Sequence, residues 1–374
     1  MKNIYLLIVV SIVVILTSCE KIEKTENKDV SYSIIRSVVN NFINGDLYYD
    51  DLAKTDQSYN IDTIYASPDS AIFIAEISPT GYVIVSSTYR TFPIIGHSSS
   101  NQFSYMPGST FGNWIDSTCK DIIEIKSFRY WPIDSVVQNV WLASAPELDD
   151  EVTVQEPGVF EQKGPYCYTQ WGQGCTFNGY MDECNDPDGE CGKNLVGCVN
   201  VAIGIIAKYH EKPTTYQWSY MTNGTTGSNE TQRLLADIAF LSGTLEGCFE
   251  SLTTNNGALY ALTTGLGYNS STLAGFDLNT IRAELTNSRP VYVSGVNGGQ
   301  STGHAWVCDG FNRYKYEIIH NPGTYYEYTT TTYSPTYLRM NWGWDGNGNG
   351  WYLSGLSSSY LGYNSKMQII YNIH

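Results

Sequence analysis

Apolar residues return at three- and four-residue steps in some parts of the chain and alternate with polar ones in others. From Gly197 to His210, the positions Val199, Ala202, Ile203, Ile206 and His210 fall on one face of a helix, which sets Cys198 in its first turn. Ser33 to Asn44 has the pattern of a short amphipathic helix, Thr231 to Ser242 and Thr280 to Asn287 carry helical patterns, and a further helix-like stretch lies near Ile122 to Trp141. Strands are predicted over Ala71 to Ile77 and Gly81 to Ser86, joined by the turn Ser78-Pro79-Thr80-Gly81. Further strands are predicted over Pro290 to Val296, His304 to Phe311 and Leu338 to Asn341. Ala145 to Gly164 is acidic, contains Pro146 and Pro157 with Pro165 at its edge, and has no sustained period, which is the pattern of a linker. The order predicts a small α+β unit, then a second α+β domain that opens on a helix and continues in strands. The chain has no internal repeat or coiled-coil pattern, and only Thr329 to Thr332 is low in complexity.

The 374 residues, 42% hydrophobic and 14% aromatic, suffice for one large or two medium domains. A net charge of −16 speaks against a partner held through phosphates, so no nucleic acid is expected. At the N-terminus, Lys2 is followed by the apolar run Ile4 to Leu16 and then by Thr17-Ser18-Cys19. That run is too short for a permanent membrane helix and reads as an export signal. Leu16-Thr17-Ser18-Cys19 resembles the bacterial lipobox, which implies a signal peptide over 1–18, cleavage before Cys19 and diacylation of its sulfur. An uncleaved anchor helix and an ordinary secretory signal are the other readings, and each also takes the body out of the cytoplasm. Residues 19–30 are charged and poor in large apolar side chains, as a tether is. The expected location is the bacterial cell envelope, with the chain lipid-anchored and facing the periplasm or the exterior.

Export permits disulfides, so the nine cysteines are counted with that in mind. Apart from Cys19 and Cys198 there are seven, Cys119, Cys167, Cys175, Cys184, Cys191, Cys248 and Cys308, and an odd number cannot all pair. Four stand in the Gly- and Asp-rich stretch Cys167 to Cys191, where one or two disulfides would compensate for low apolar content. The stretch has no Cys-x-x-Cys spacing and no histidine, which disfavours zinc.

A cysteine in the first turn of a helix faces the positive end of the helix dipole and the unpaired N–H groups there, and both favour the thiolate that attacks a carbonyl. Cys198 is therefore a candidate nucleophile; the plainer readings are a small buried residue or half of a disulfide. Of five histidines, His374 is terminal, His210 ends the apolar face of the Cys198 helix and His97 lies in the first half, which leaves His304 and His320. His304 follows Gly303 at the start of a predicted strand and suits a projecting base. In Met340-Asn341-Trp342-Gly343-Trp344-Asp345-Gly346, Asn341 could accept from the far nitrogen of an imidazole while Trp342 shields it; the same residues could equally form an aromatic turn. Asp345, Asn347, Asn349 and Gly350 imitate the opening of a calcium loop, but Leu356 stands where a bidentate Glu is required, so a Gly-rich loop is expected instead.

Gly197-Cys198-Val199 running into Ile206-Ala207-Lys208-Tyr209-His210, then Arg289-Pro290-Val291-Tyr292, then Gly303-His304-Ala305-Trp306-Val307-Cys308-Asp309-Gly310, then Asn341-Trp342-Gly343-Trp344, resemble in motif and order the streptopain family of papain-like cysteine peptidases. Gly81 to Ser86, followed by Pro93-Ile94-Ile95-Gly96, looks like that family's inhibitory pro-domain. The resemblance implies a papain-like α+β fold behind a small α+β pro-domain, divided as 31–150 and 151–374. It implies Cys198 as nucleophile, His304 as general base and then acid, and Asn341 and Trp342 to orient and shield His304. Trp171-Gly172-Gln173 resembles the segment before the family's nucleophile, so Gln173, with the Cys198 N–H, is the oxyanion-hole candidate, with Gln170 close by. No metal or cofactor is implied. The implied partners are protein or peptide substrates, the chain's own pro-domain as intramolecular inhibitor, and a membrane through the lipid anchor. The Cys167 to Cys191 stretch, the segment Tyr314 to Tyr337 and the anchor depart from the family pattern. The same dyad also serves amidases and acyltransferases acting on cell-wall peptides, and a binding or inhibitory lipoprotein could keep the fold without the chemistry.

Overall fold

In the computed structural model, the described residues are 29–45, 58–128, 133–155, 158–187, 189–296, 303–356 and 367–374. The expected signal peptide, Cys19 and the tether up to Lys28 lie outside them. The first half opens with helix α1 (Tyr32–Asn44), which starts where the Ser31 side chain accepts the Ile34 N–H and buries Ile35, Val38, Val39, Phe42 and Ile43. An antiparallel meander follows, β1 (Asn60–Ala66), β2 (Ile72–Ser78), β3 (Tyr82–Ser86) and β4 (Ile94–Ser98), in agreement with the two strands and turn predicted there.

The single helix expected near Ile122 to Trp141 is two helices, α2 (Thr110–Ser127) and α3 (Ser135–Ser144). Local capping decides this. Ser109 accepts the Gly112 N–H and Asp134 accepts the Val136 N–H, so each side chain fixes a helix start that apolar period alone does not mark, and Pro132 stands between the two. The stretch expected as a linker also carries structure, since β5 (Val152–Val154) and β6 (Gly158–Lys163) both pair with the later strand β9 (Gly303–His320). They are too short to show a period, and it is the long partner strand that orders them.

The second half contains α4 (Cys198–His210), α5 (Asn229–Ser242), α6 (Asn255–Tyr260), β7 (Thr272–Gly275), α7 (Leu278–Thr286), β8 (Val291–Val296), β9 (Gly303–His320), β10 (Tyr328–Tyr333), β11 (Tyr337–Asn341), β12 (Gly350–Leu353) and β13 (Gln368–Tyr371). The predicted helices and strands of this half are all present. The segment Tyr314 to Tyr337, expected as an elaboration, is the far end of β9 and its return strand β10.

The strands form one sheet in the order β1-β2-β3-β4-β12-β11-β9-β8-β13-β7, so the two halves are joined edge to edge where His97 opposes Trp351 and Gly96 opposes Tyr352. Gly96 is required there, because a Cβ would lie 2.5 Å from the Tyr352 ring. Strand β9 separates two cores by simple alternation. Ala305 and Val307 pack with α4, α5 and α6, whereas Trp306 and Cys308 pack with Trp342, Trp351 and the apolar residues of the first half. Behind β9, the buried Asp309 pairs with Arg339 of β11 at 3.3 Å and accepts the Cys167 N–H at 2.7 Å, which pins the chain entering the second half.

Among the described residues two disulfides are formed. Cys175–Cys191 lies within the Gly- and Asp-rich stretch, while Cys184–Cys248 leaves it for the loop after α5. Cys119, Cys167, Cys198 and Cys308 are free thiols.

His97 at the seam is fully buried, with its ring 4.8 Å edge-on from Phe42 and its Nε2 3.3 Å from the Tyr314 hydroxyl. Burial pushes its pKa down to about 3. A base lowered in the folded state stabilises the fold only while neutral, so this contribution is complete above the unfolded value of about 6.5 and shrinks as pH falls toward 3. From pH 7 to pH 5 the wild type should lose about 2 kcal/mol that His97→Phe does not lose; denaturant unfolding at the two pH values measures the difference, and equal losses would refute the assignment.

Candidate active site

Each of the other described α-helices begins at a side-chain cap: Ser31, Ser109, Asp134, Ser228, Thr254 or Asp277. Helix α4 alone does not. Its N-cap is Gly197 at φ 89°, with no side chain to occupy the first-turn N–H groups. The Cys198 and Val199 N–H groups remain directed at the thiol of Cys198, the first residue of the helix. The thiol lies within reach of the N–H groups of Ala305, Val199 and Cys198 itself. Burial is the largest influence and pushes the thiol pKa up; the three N–H groups pull it down, and the Glu250 carboxylate adds to the rise.

His304 stands on β9 next to Ala305, paired with Gly295 of β8. By alternation it shares the face of Trp306, which is the face turned to the first half. From that side Asn113 of α2 arrives: its amide nitrogen is 2.6 Å from His304 Nε2 and also donates to the Gly108 carbonyl at 3.2 Å. With the amide placed so, Nε2 accepts and the imidazole is neutral. Burial lowers the His304 pKa in the same sense, opposed by Glu250. An imidazole held at Nε2 and a thiol raised by desolvation both favour their neutral forms here.

Trp342 is fully buried and donates from Nε1 to the Gly348 carbonyl at 2.9 Å. Its ring centroid is 5.2 Å from Trp306, 6.2 Å from Phe111 and 6.4 Å from Trp114, so α2 seats two aromatic side chains on it, one on each side of Asn113. Gly348, at φ 70°, lies under Phe111; a Cβ there would be 2.4 Å from the ring. The Gly-rich loop read from sequence is therefore the cradle of this helix start. Asn341 donates to the Thr169 carbonyl at 2.7 Å and accepts the Gly343 N–H at 3.3 Å, so its amide and His304 are engaged with different partners in this state.

The Gln173 carbonyl accepts the Val196 N–H at 3.0 Å, which sets this half-buried residue alongside the segment entering Cys198. Trp171, fully buried against Gly204 of α4, holds that segment in place. The Gln170 side chain packs over Gly346 instead. Among the described residues, no group of three or more His, Cys, Asp or Glu side chains is placed to hold a metal ion. Sequence reasoning missed Asn113 and Glu250. The first had one signal, a polar residue inside Phe111-Gly112-Asn113-Trp114, while the second is an exposed acid in a polar loop and had none.

Residues 214–352 match the family model of Peptidase C10, a span that holds His304, Asn341 and Trp342 and begins after Cys198. The thiol protease/hemagglutinin PrtT of Porphyromonas gingivalis is 24% identical over 362 residues, covering 83% of this chain and 37% of that protein. The chain thus spans little more than a third of that relative's length. A solved fragment of prointerpain A from Prevotella intermedia matches with a TM-score of 0.58 at 17% identity, covering 83% of this chain and 98% of that one. The fold is thus papain-like α+β behind a smaller α+β unit, and residues 214–352 resemble a class of peptidases. Within that class the likeness is to the Peptidase C10, or streptopain, family, as the four ordered motifs implied.

In the full chain at neutral pH, iodoacetamide should alkylate Cys198 at least about tenfold more slowly than in an Asn113→Ala variant, since one unit of thiol pKa changes the thiolate fraction tenfold. Peptide mass spectrometry over time checks this, and equal rates would show that Asn113 does not hold the pair at rest.

Proposed function

We propose that this chain is an exported lipoprotein cysteine endopeptidase made as a zymogen, with residues 31–150 as inhibitory pro-domain and 151–374 as catalytic domain. The observation that carries the reading is the uncapped helix start bearing Cys198 beside the strand of His304, with His304 Nε2 occupied by Asn113 from the first half. The thiol-protease activity of the Porphyromonas gingivalis relative agrees with it.

Once α2 withdraws, His304 takes the Cys198 proton and the thiolate adds to the scissile carbonyl carbon. The Gln173 amide and the Cys198 N–H hold the oxyanion. Collapse breaks the C–N bond as the imidazolium gives its proton to the leaving amine. Water, deprotonated by His304, then attacks the thioester, and acid and free thiol are released. Asn341 accepts from the far nitrogen of His304 in the released enzyme, and Trp342, uncovered by Phe111 and Trp114, shields that bond from water. The activating cut falls in 145–164, where Asp150 and Glu151 are exposed; the chain after Gly164 stays with the catalytic domain through Asp309.

Casein hydrolysis by the chain from Glu20 onward should appear after limited proteolysis within 145–164 and be absent from Cys198→Ala. Gln173→Ala should keep the thioester chemistry but lose about 100-fold in kcat. A trimmed wild type as inert as Cys198→Ala would favour a binding role or a cell-wall substrate. For the anchor, fatty-acid labelling of the protein in a bacterial host should disappear in Cys19→Ala; labelling that survives would remove the lipoprotein reading.

A further inference from the structure

The loop between α5 and α6 borders the nucleophile, and nothing in the proposed chemistry uses it. Leu245 and Leu252 close it by exchanging N–H to carbonyl bonds of 2.9 Å each way. Within it, the Gly247 carbonyl accepts the Leu195 N–H at 3.0 Å, and the Ser251 hydroxyl donates to the Leu195 carbonyl at 2.6 Å while accepting the Gly247 N–H at 3.1 Å. Ser251 packs on Gly197, where an added Cβ would lie 3.2 Å from the Ser251 Cβ. Asn200, in the first turn of α4, donates to Thr244 at 2.8 Å, and Cys248 is tied to Cys184. The loop is thus fastened to the residues on both sides of Cys198, and Glu250, between Cys248 and Ser251, is held rather than left to sample the solvent.

Glu250 is exposed, and no ion pair or hydrogen bond engages its carboxylate among the described residues. Its field reaches both Cys198 and His304. At Cys198 that field opposes thiolate formation, so an anion here does not serve the resting nucleophile. It is available to a cation brought by something else, and the loop that carries it is fastened to the residues on both sides of Cys198.

We propose that Glu250 selects substrates with a Lys or Arg side chain close to the scissile bond; the inference rests on the peptidase reading. The charge of such a side chain meets Glu250 as the carbonyl meets Cys198, and its arrival offsets the field that disfavours the thiolate. An exposed pair of this kind changes kcat/KM about two- to fivefold, and opposite against like charge compounds to about tenfold.

The test uses the full chain after the activating cut, with rates normalised to the Cys198 titrated by a neutral peptidyl electrophile. Peptides identical except for Lys, norleucine or Glu at each of the positions flanking the scissile bond are compared. At one position the wild type should prefer Lys over Glu by about tenfold, Glu250→Gln should cut this to about twofold, and Glu250→Lys should invert it. A Lys-to-Glu ratio unchanged in Glu250→Gln, or rates lowered equally on all three peptides, would overturn the selector and leave the peptidase standing. If no peptide is cleaved faster than by Cys198→Ala, the peptidase reading falls and the selector with it.

Discussion

Strand β9 is buried on both faces, and the rest of the structure depends on that constraint. Eighteen residues long, it offers Ala305 and Val307 to the core under the nucleophile helix and Trp306 and Cys308 to the core shared with the first half. Because side chains alternate along a strand, a histidine one residue before Ala305 must turn away from the helix core and toward the first half. The strand thereby carries His304 past the Cys198 helix and presents it to the first half at once. Its length also explains why β5, β6 and β10 exist as strands, since each borrows its order from the edge β9 provides.

The Asn113–His304 contact is small in itself, one amide on one imidazole nitrogen, and such a bond contributes about 1 kcal/mol. What makes it persist is the packing on either side. Phe111 and Trp114 are buried on Trp342, and each large apolar side chain removed from water contributes about 1.5–3 kcal/mol, with aromatic pairing adding to it. Trp344 donates to Thr110 at 2.8 Å and the first-half sheet continues through β4 into β12. Asn113 is aimed by these surroundings, so His304 is freed only as the aromatic seat opens.

The electrostatics around Cys198 run against a thiolate. Burial lifts the Cys198 thiol and lowers His304, and Glu250 lifts both. Only the N–H groups at the uncapped start of α4 and at Ala305 favour the thiolate, and they are fixed by backbone geometry. The donors that would stabilise a thiolate are thus fixed by the backbone, while among the described residues no cation stands opposite them.

The sequence by itself determined the helices and strands whose period is long, the cysteine at a helix start, the histidine at a strand start and the order of the four motifs, because side-chain spacing and capping act over a few residues. It did not mark the split of α2 from α3 or the strands within 145–164, which depend on single caps and on a distant partner strand. The pairing of Cys184 with Cys248, the seat of Asn113 on His304 and the placement of Glu250 beside Cys198 were decided only by the tertiary structure. Each joins segments far apart in the chain, and no local periodicity records which surface another part of the fold will bring against it.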